Sequence, residues 1–378
     1  MRYLSSSIIR DLQKKMVLIS GPRQAGKTTM VKELTKDLGL YLNWDNSDDR
    51  KKIMSKDWDQ DRKIIIFDEI HKFSRWKNLV KGIYDTQKER HQFIVTGSAR
   101  LDIFKKGQDS MLGRFFSWRL HPLCLSEIKQ SFKRDDPQNM EKMLTLGGFP
   151  EPFLTGDLQF AKRWRNEKLN LVFRQDIQEL ESIRDIALLE FFYQAVTQRV
   201  GSEVALSNIA RDLEIAPKTA KAWLNILEKT YALFIITPYS KNLNKAITKK
   251  PKIYFYDNGE VEGDEGARFE NLVANHLLKR IHYLEDSTGD RYELNYLRDK
   301  NGHEIDFLIQ KNRKPIAIIE AKLTESSRSK SFYYYKDKLK IKTCIQLVRN
   351  LDKSSMRDDI LVAPAYEWLS KPLSEEIF

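Results

Sequence analysis

The octapeptide Gly21-Pro22-Arg23-Gln24-Ala25-Gly26-Lys27-Thr28 constrains this chain more than any other feature of it. It matches G-x-x-x-x-G-K-[ST] at every fixed position. The apolar run Met16-Val17-Leu18-Ile19 precedes it, and a helical run from Thr29 to Leu38 follows. A strand, a glycine-rich loop and a helix together wrap backbone N–H groups around phosphates and aim a helix N-terminus at them. The expected nucleotide-binding set is therefore Gly21, Pro22, Arg23, Gln24, Ala25, Gly26, Lys27, Thr28 and Thr29. Lys27 is expected at the β- and γ-phosphates and Thr28 on Mg²⁺, with ATP as the ligand.

A second motif supplies the other half of such a site. Ile64-Ile65-Ile66-Phe67 reads as a buried strand, and it ends in two carboxylates, Asp68 and Glu69. Asp68 suits the Mg²⁺ shell, and Glu69 suits a group that orients and polarises an attacking water. Val95-Thr96-Gly97-Ser98 ends the next strand in small polar residues, so Ser98, or Thr96, is expected to face the γ-phosphate or the water. Arg114 is the candidate for an arginine acting on a neighbouring copy's nucleotide, with Arg100 and Arg119 as competitors.

Residues 16–134 alternate β runs with helical patterns: Leu40 to Leu42, Lys63 to Phe67, Phe93 to Val95 and Phe116 to Leu120 follow the first strand. That alternation predicts a parallel sheet covered on both faces. From about 135 to 200 strands give way to helices, Glu141 to Leu146 and Lys162 to Glu179, as in a lid. Asp257 to Gly266, rich in glycine and acid, reads as a linker.

Leu206, Ile209, Ala210 and Leu213 recur at helical spacing, and Pro217 suits the first turn of a second helix. That helix has Ala220, Trp223, Leu224 and Leu227 on one face and Lys218, Lys221 and Asn225 on another. β runs at Tyr231 to Pro238 and Lys252 to Tyr256 follow, with a lysine-rich stretch, Lys241, Lys245, Lys249, Lys250 and Lys252, joining them. The pattern resembles a winged helix. Two readings stay open: Lys218, Lys221 and Asn225 enter a DNA major groove while the lysine-rich wing lies on phosphates, or the module only packs beside its neighbours. A net charge of +12 favours a polyanion partner without requiring one.

Glu304 to Ile309 and Pro315 to Ala321 read as two strands joined by a polar turn. Glu320 and Lys322 share a strand face, and Asp306 can join them across the hairpin. Glu270 sits in an upstream helical run. This is the D-x13-ExK form of the PD-(D/E)xK nuclease pattern, in which Asp306, Glu320 and Glu270 hold a metal and Lys322 assists the water. Three readings remain open here: a site that cuts nucleic acid, a nuclease-derived fold that only binds, and an unrelated β domain with a surface ion pair.

The two cysteines, Cys124 and Cys344, lie far apart, which excludes a disulfide framework and a cysteine-rich zinc site. Apolar runs are strand-length, short of the ~20 residues of a membrane span, and the first residues lack a signal peptide's apolar core. The expected setting is the cytoplasm, away from membranes.

The motifs GPRQAGKTT, IIIFDEIHK, VTGSAR and LGRFFSWRLHPLCLSEI, followed by ARFENLVANHLL, YLRDKNGHEIDFLI and IIEAKL, resemble the prokaryotic AAA-type ATPases of the AAA_14 group with a C-terminal DUF4143 region. The resemblance implies a parallel sheet of strand order 5-1-4-3-2. The expected fold class is α/β: an AAA-type P-loop sheet with a helical lid, a winged helix and a restriction-endonuclease-like domain. The expected segments are 1–134, 135–200, 201–259 and 260–378 in that order. The expected function is ATP hydrolysis that remodels or processes DNA, and the expected assembly is a homo-oligomer, with a ring as one form of it. The competing function is a nucleotide-controlled protein-interaction switch whose nuclease-like domain does no chemistry.

Overall fold

The computed structural model describes residues 2–59, 61–97, 111, 113–132, 136–180, 183, 185–240, 250–324, 330–374, 376 and 378. They form two compact units, Met1–Pro122 with Lys229–Tyr231, and Leu123–Glu228 with Ala232–Phe378.

The first unit is built on a five-stranded parallel sheet. Its strands are β1 (Met16–Ser20), β2 (Gly39–Asn43), β3 (Ile64–Asp68), β4 (Gln92–Thr96) and β5 (Phe115–Arg119), in spatial order β2-β3-β4-β1-β5. This is the order the family resemblance implies. Every residue of β1 and β3 is buried, as continuous apolar runs in a sheet covered on both faces should be. The helix Trp76–Gln87 packs Trp76, Val80 and Ile83 into one core with Phe67, Phe93 and Val95. The helix after the glycines starts at Lys27 and ends at Thr35, where a tighter turn, Lys36–Leu38, carries the chain into β2. Because all the strands run the same way, the segments after β1, β3 and β4 leave the sheet at one edge.

The second unit begins with helices: Gln138–Leu146, Pro150–Thr155, Leu158–Leu171 and Ile186–Thr197. The pair Leu206–Asp212 and Pro217–Lys229 follows. Its eight-stranded sheet comprises β6 (Leu233–Pro238), β7 (Lys252–Phe255), β8 (Tyr292–Arg298), β9 (Glu304–Lys311), β10 (Lys314–Thr324), β11 (Thr343–Asn350), β12 (Ser355–Arg357) and β13 (Ile360–Pro364), in the order β12-β13-β11-β10-β9-β8-β6-β7. β6 pairs antiparallel with β7 and parallel with β8 through Thr237–Asn295 and Pro238–Tyr296. The hairpin read as a wing thus extends the C-terminal sheet, which runs through the boundary expected at 259/260. The helix Leu125–Phe132, placed by sequence in the first segment, belongs to the second unit.

Asp257 to Gly266 is not a free linker. Asp257 is fully buried and Glu260 nearly so. The Arg165 guanidinium pairs with Asp257 at 3.1 Å, and the Lys168 ammonium joins Glu260 at 2.5 Å and Asp257 at 3.7 Å. Acidic residues that look solvated in sequence are here neutralised by cations from the helix Leu158–Leu171. The carboxylate of Asp257 approaches so closely that a Cβ on Gly147, at φ +81°, would stand 1.9 Å from its Oδ1.

Candidate functional sites

The glycine-rich loop joins β1 to the helix Lys27–Thr35 with backbone that only special residues accept. A Cβ on Gly21 would stand 2.1 Å from the carbonyl oxygen of Leu120, just beyond β5. Gln24 and Gly26 both take left-handed backbone, at φ 63° and 92°, as the loop curls into the helix. Arg2 secures the loop from outside the motif, donating to the carbonyls of Ala25 and His121 at 2.6 Å each. No motif pointed to Arg2.

Lys27 is buried, and its ammonium donates to the carbonyls of Gly21 at 2.9 Å and Pro22 at 2.8 Å. Thr28 Oγ1 donates to Asp68 Oδ2 at 2.8 Å. Asp68 also accepts from Tyr41 Oη at 2.6 Å and from Thr96 Oγ1. The sequence singled out Thr28, Asp68 and Thr96. Tyr41, in the middle of β2, carried no signal that could have marked it.

Glu69 takes left-handed backbone at φ 55°, directly after β3. Its Oε2 is buried and accepts no hydrogen bond. The nearest bases are His71 Nε2 at 3.6 Å and Lys72 Nζ at 4.0 Å. Burial pushes the Glu69 carboxyl up to about 7; Asp68 adds to the rise, and Lys27, Lys72 and Arg23 oppose it. Burial, with Lys72 and Lys27 nearby, holds His71 down at about 4, so its imidazole is neutral and gives Glu69 no counter-charge at pH 7.

These residues fit ATP and Mg²⁺. The loop leaves no room for a side chain at Gly21. An ammonium is stored under that loop, a hydroxyl and a carboxylate stand side by side, and a buried carboxylate oxygen lacks a donor. Thr28 and Asp68 are the residues that would hold the metal.

Ser98 and Arg100 lie outside the described residues, as do Lys241, Lys245 and Lys249. Arg114 is not at this site within the chain. It precedes β5 and its carbonyl accepts from Met16 N at the start of β1, which places it at the sheet edge opposite the glycine-rich loop. Its guanidinium is engaged by Asp85, Nε to Oδ1 at 2.7 Å and Nη2 to Oδ2 at 3.0 Å.

In the second unit, Lys218, Lys221 and Asn225 are exposed on the helix Pro217–Lys229, while Ala220, Trp223, Leu224 and Leu227 are buried. β9 and β10 form a hairpin whose turn, Asn312–Arg313, is left-handed at both residues. Asp306 Oδ2 accepts from Ala321 N at 2.9 Å, next to Glu320, and Lys322 Nζ lies 3.9 Å from Glu320 Oε2. The hairpin therefore brings Asp306, Glu320 and Lys322 together.

Glu270 accepts from Tyr254 Oη at 2.6 Å and lies 3.5 Å from Lys252 Nζ. Among the described residues, no group of three or more His, Cys, Asp or Glu could hold a metal ion. Lys252, from β7, thus lies against Glu270, one acid of the expected set Glu270, Asp306 and Glu320. The sequence counts Lys252 with the lysines of the wing.

Comparison with known proteins agrees with the first unit's geometry. Residues 13–129 match the model of an AAA domain, AAA_14. Residues 137–261 match a domain of unknown function, DUF8612, and residues 265–368 match another, DUF4143. An uncharacterized protein of Methanocaldococcus jannaschii is 24% identical over 372 residues, covering 88% of this chain and 82% of that protein. An uncharacterized protein of Mycobacterium tuberculosis is 23% identical over 247 residues, 65% of this chain and 54% of the relative. A Walker-type ATPase of Pyrococcus abyssi aligns with TM-score 0.43 at 16% identity, covering 68% of this chain and 93% of that one. A signal-transduction ATPase with a tetratricopeptide repeat sensor from Pyrococcus horikoshii aligns at TM-score 0.24 and 15% identity, covering 76% and 48%. The matched stretch 13–129, similar to an AAA domain, holds the glycine-rich loop and β1 to β5. No helix among the described residues is long and apolar enough to cross a membrane.

Proposed function

We propose that the first unit hydrolyses ATP with Glu69 as the general base, and that the chain couples this turnover to DNA held on the helix Pro217–Lys229. The observation that carries the ATPase reading is the buried, undonated Oε2 of Glu69 one residue from Asp68, itself bonded to Thr28. A carboxylate in that setting is ready to accept a proton from water. Mg²⁺, when bound, neutralises phosphate charge. Lys27 exchanges two backbone carbonyls for phosphate oxygens, and the N–H groups of the loop and helix take up the remaining charge. Tyr41 and Thr96 fix the Asp68 carboxylate so that it does not swing into the place of the water.

The DNA reading rests on the exposed row Lys218, Lys221 and Asn225, on the second of two helices that precede an antiparallel hairpin. That arrangement suits a recognition helix. The competing reading, a nucleotide-controlled protein-interaction switch, predicts no salt-dependent DNA affinity. Phosphate release by wild type against Glu69→Gln tests the first part. Electrophoretic binding to duplex, single-stranded and branched DNA over a salt series tests the second. No phosphate release by the wild type, or no DNA binding at low salt, removes the corresponding half.

A further inference from the structure

Lys252 opens β7 and is only 2% exposed, yet its ammonium lies among carboxylates from two other elements. Its Nζ is 2.7 Å from Glu304 Oε1 on β9 and 3.5 Å from Glu270 Oε1 on the helix Glu265–Thr288. The ring of Tyr296 on β8 lies beneath it, with 5.4 Å to the centroid. Tyr254, two residues along β7, donates to the same Glu270 oxygen.

The surroundings fix this arrangement. Tyr296 Oη has two acceptors for its one proton, Glu203 Oε1 at 2.9 Å and the Lys250 carbonyl at 2.6 Å, which anchors the ring. Gly201, at φ +73°, packs against Glu270 so closely that a Cβ would meet its Oε2 at 3.0 Å. Arg298 supplies a second positive charge to Glu304, at 3.0 Å. Burial works against the Lys252 charge, but Glu270, Asp306 and Glu304 outweigh it and hold the ammonium above the ordinary lysine range. Burial and the neighbouring Asp306 push the Glu270 carboxyl up to about 7.

We propose that Lys252 is a resident counter-ion that takes the place of a metal in this carboxylate cluster, so that the C-terminal sheet is locked by an internal cation and is not a nuclease centre. A nuclease of the D-x13-ExK type needs its acids to share a divalent cation. Here the first demand on Glu270 and Glu304 is met by a covalently tethered ammonium, and Lys322 stands beside Glu320. A divalent ion would have to displace a buried charge and leave it unpaired, which is strongly unfavourable. The lysine comes from β7, outside the hairpin that carries the motif, so the motif alone gives no warning of it. This inference is independent of the nucleotide reading.

The test is Mn²⁺ binding to the nucleotide-free full chain, followed by electron paramagnetic resonance of free Mn²⁺ and by thermal melting. Wild type and Asp306→Ala are expected to bind the same amount of Mn²⁺. Lys252→Met is expected to melt lower without metal, to bind about one further Mn²⁺ per chain and to regain stability with it; Lys252→Met with Asp306→Ala is expected to lose that gain. If wild type binds an Mn²⁺ that Asp306→Ala loses, the proposal is overturned. It is also overturned if a folded Lys252→Met or Lys252→Gln chain gains no Mn²⁺. Should neither variant fold, the comparison of wild type with Asp306→Ala decides alone. Metal-dependent DNA cutting by wild type that Asp306→Ala abolishes would refute it as well.

Discussion

Thr28 Oγ1 donates to Asp68 Oδ2 over 2.8 Å, tying the first turn of the P-loop helix to the last residue of β3. The two motifs of the nucleotide site are thus joined directly by side chains. β1 and β3 do not touch in the sheet, since β4 lies between them. Thr96, at the end of that intervening strand, closes the gap by donating to the other oxygen of Asp68.

Lys27→Ala is expected to abolish nucleotide binding, because the buried ammonium is the mobile positive charge under the loop. Glu69→Gln is expected to bind ATP normally and to lose about 10²–10⁴-fold in turnover, the usual worth of a general base. ATP at 100 times its dissociation constant should stabilise wild type and Glu69→Gln by about 2.7 kcal/mol and leave Lys27→Ala unchanged. Nucleotide-dependent melting and phosphate release report the two effects separately.

Arg114→Ala is expected to retain wild-type turnover. The residue lies at the sheet edge away from the glycine-rich loop, and its guanidinium is held by Asp85. Phosphate release measured over a range of protein concentrations checks this. A large loss would show that a second copy captures Arg114 from Asp85.

Arg165→Met should destabilise the second unit by about 3 kcal/mol, because removing one partner leaves the fully buried Asp257 short of charge. Lys168, at 3.7 Å, compensates only in part. A urea titration of both chains gives the difference directly. Equal midpoints would show that Asp257 needs only Lys168.

Stability should fall in mild acid through His276. Its Nε2 accepts from Leu125 N at 3.1 Å and its Nδ1 faces the Leu272 carbonyl, so both nitrogens are used only in the neutral form. Burial lowers its pKa to about 4. The unfolded chain therefore binds the proton first as pH falls. The contribution is complete above the ordinary histidine value of about 6.5 and is lost progressively as pH drops toward 4, by on the order of 3 kcal/mol. Unfolding midpoints for wild type and His276→Gln between pH 7.5 and 4.5, a range set by those two values, should converge at the acid end.

DNA affinity should fall linearly with salt on logarithmic axes, with a slope of about −0.9 per phosphate contacted on duplex. Replacing Lys218 and Lys221 with Glu should weaken binding and flatten that slope. An unchanged slope would assign the exposed face of the helix Pro217–Lys229 to another partner.

The first unit was legible because its chemistry is local. A glycine that must avoid Leu120, a lysine six residues on, and a strand ending in Asp68 and Glu69 all lie within short stretches whose spacing is set by the backbone. Apolar runs of strand length likewise located β1 to β5 to within a residue or two, most plainly β1 and β3, where burial on both faces leaves an uninterrupted pattern. Tyr41 and Arg2 escaped notice because each acts across the fold on a residue it does not adjoin in sequence.

The second unit depended on tertiary structure for the opposite reason. Charge in a sequence carries no record of what will neutralise it. Asp257 and Glu260 look like part of a solvated linker until Arg165 and Lys168 are brought against them. Glu270 shows no partner in the sequence until β6 pairs with β8 and carries β7, with Lys252, to within 3.5 Å of it. The sequence by itself determined the P-loop, its acidic partner strand and the D-x13-ExK hairpin. Only the folded sheet decided which of those acids were left facing an open site and which were already paired, because that pairing forms between residues far apart in the chain.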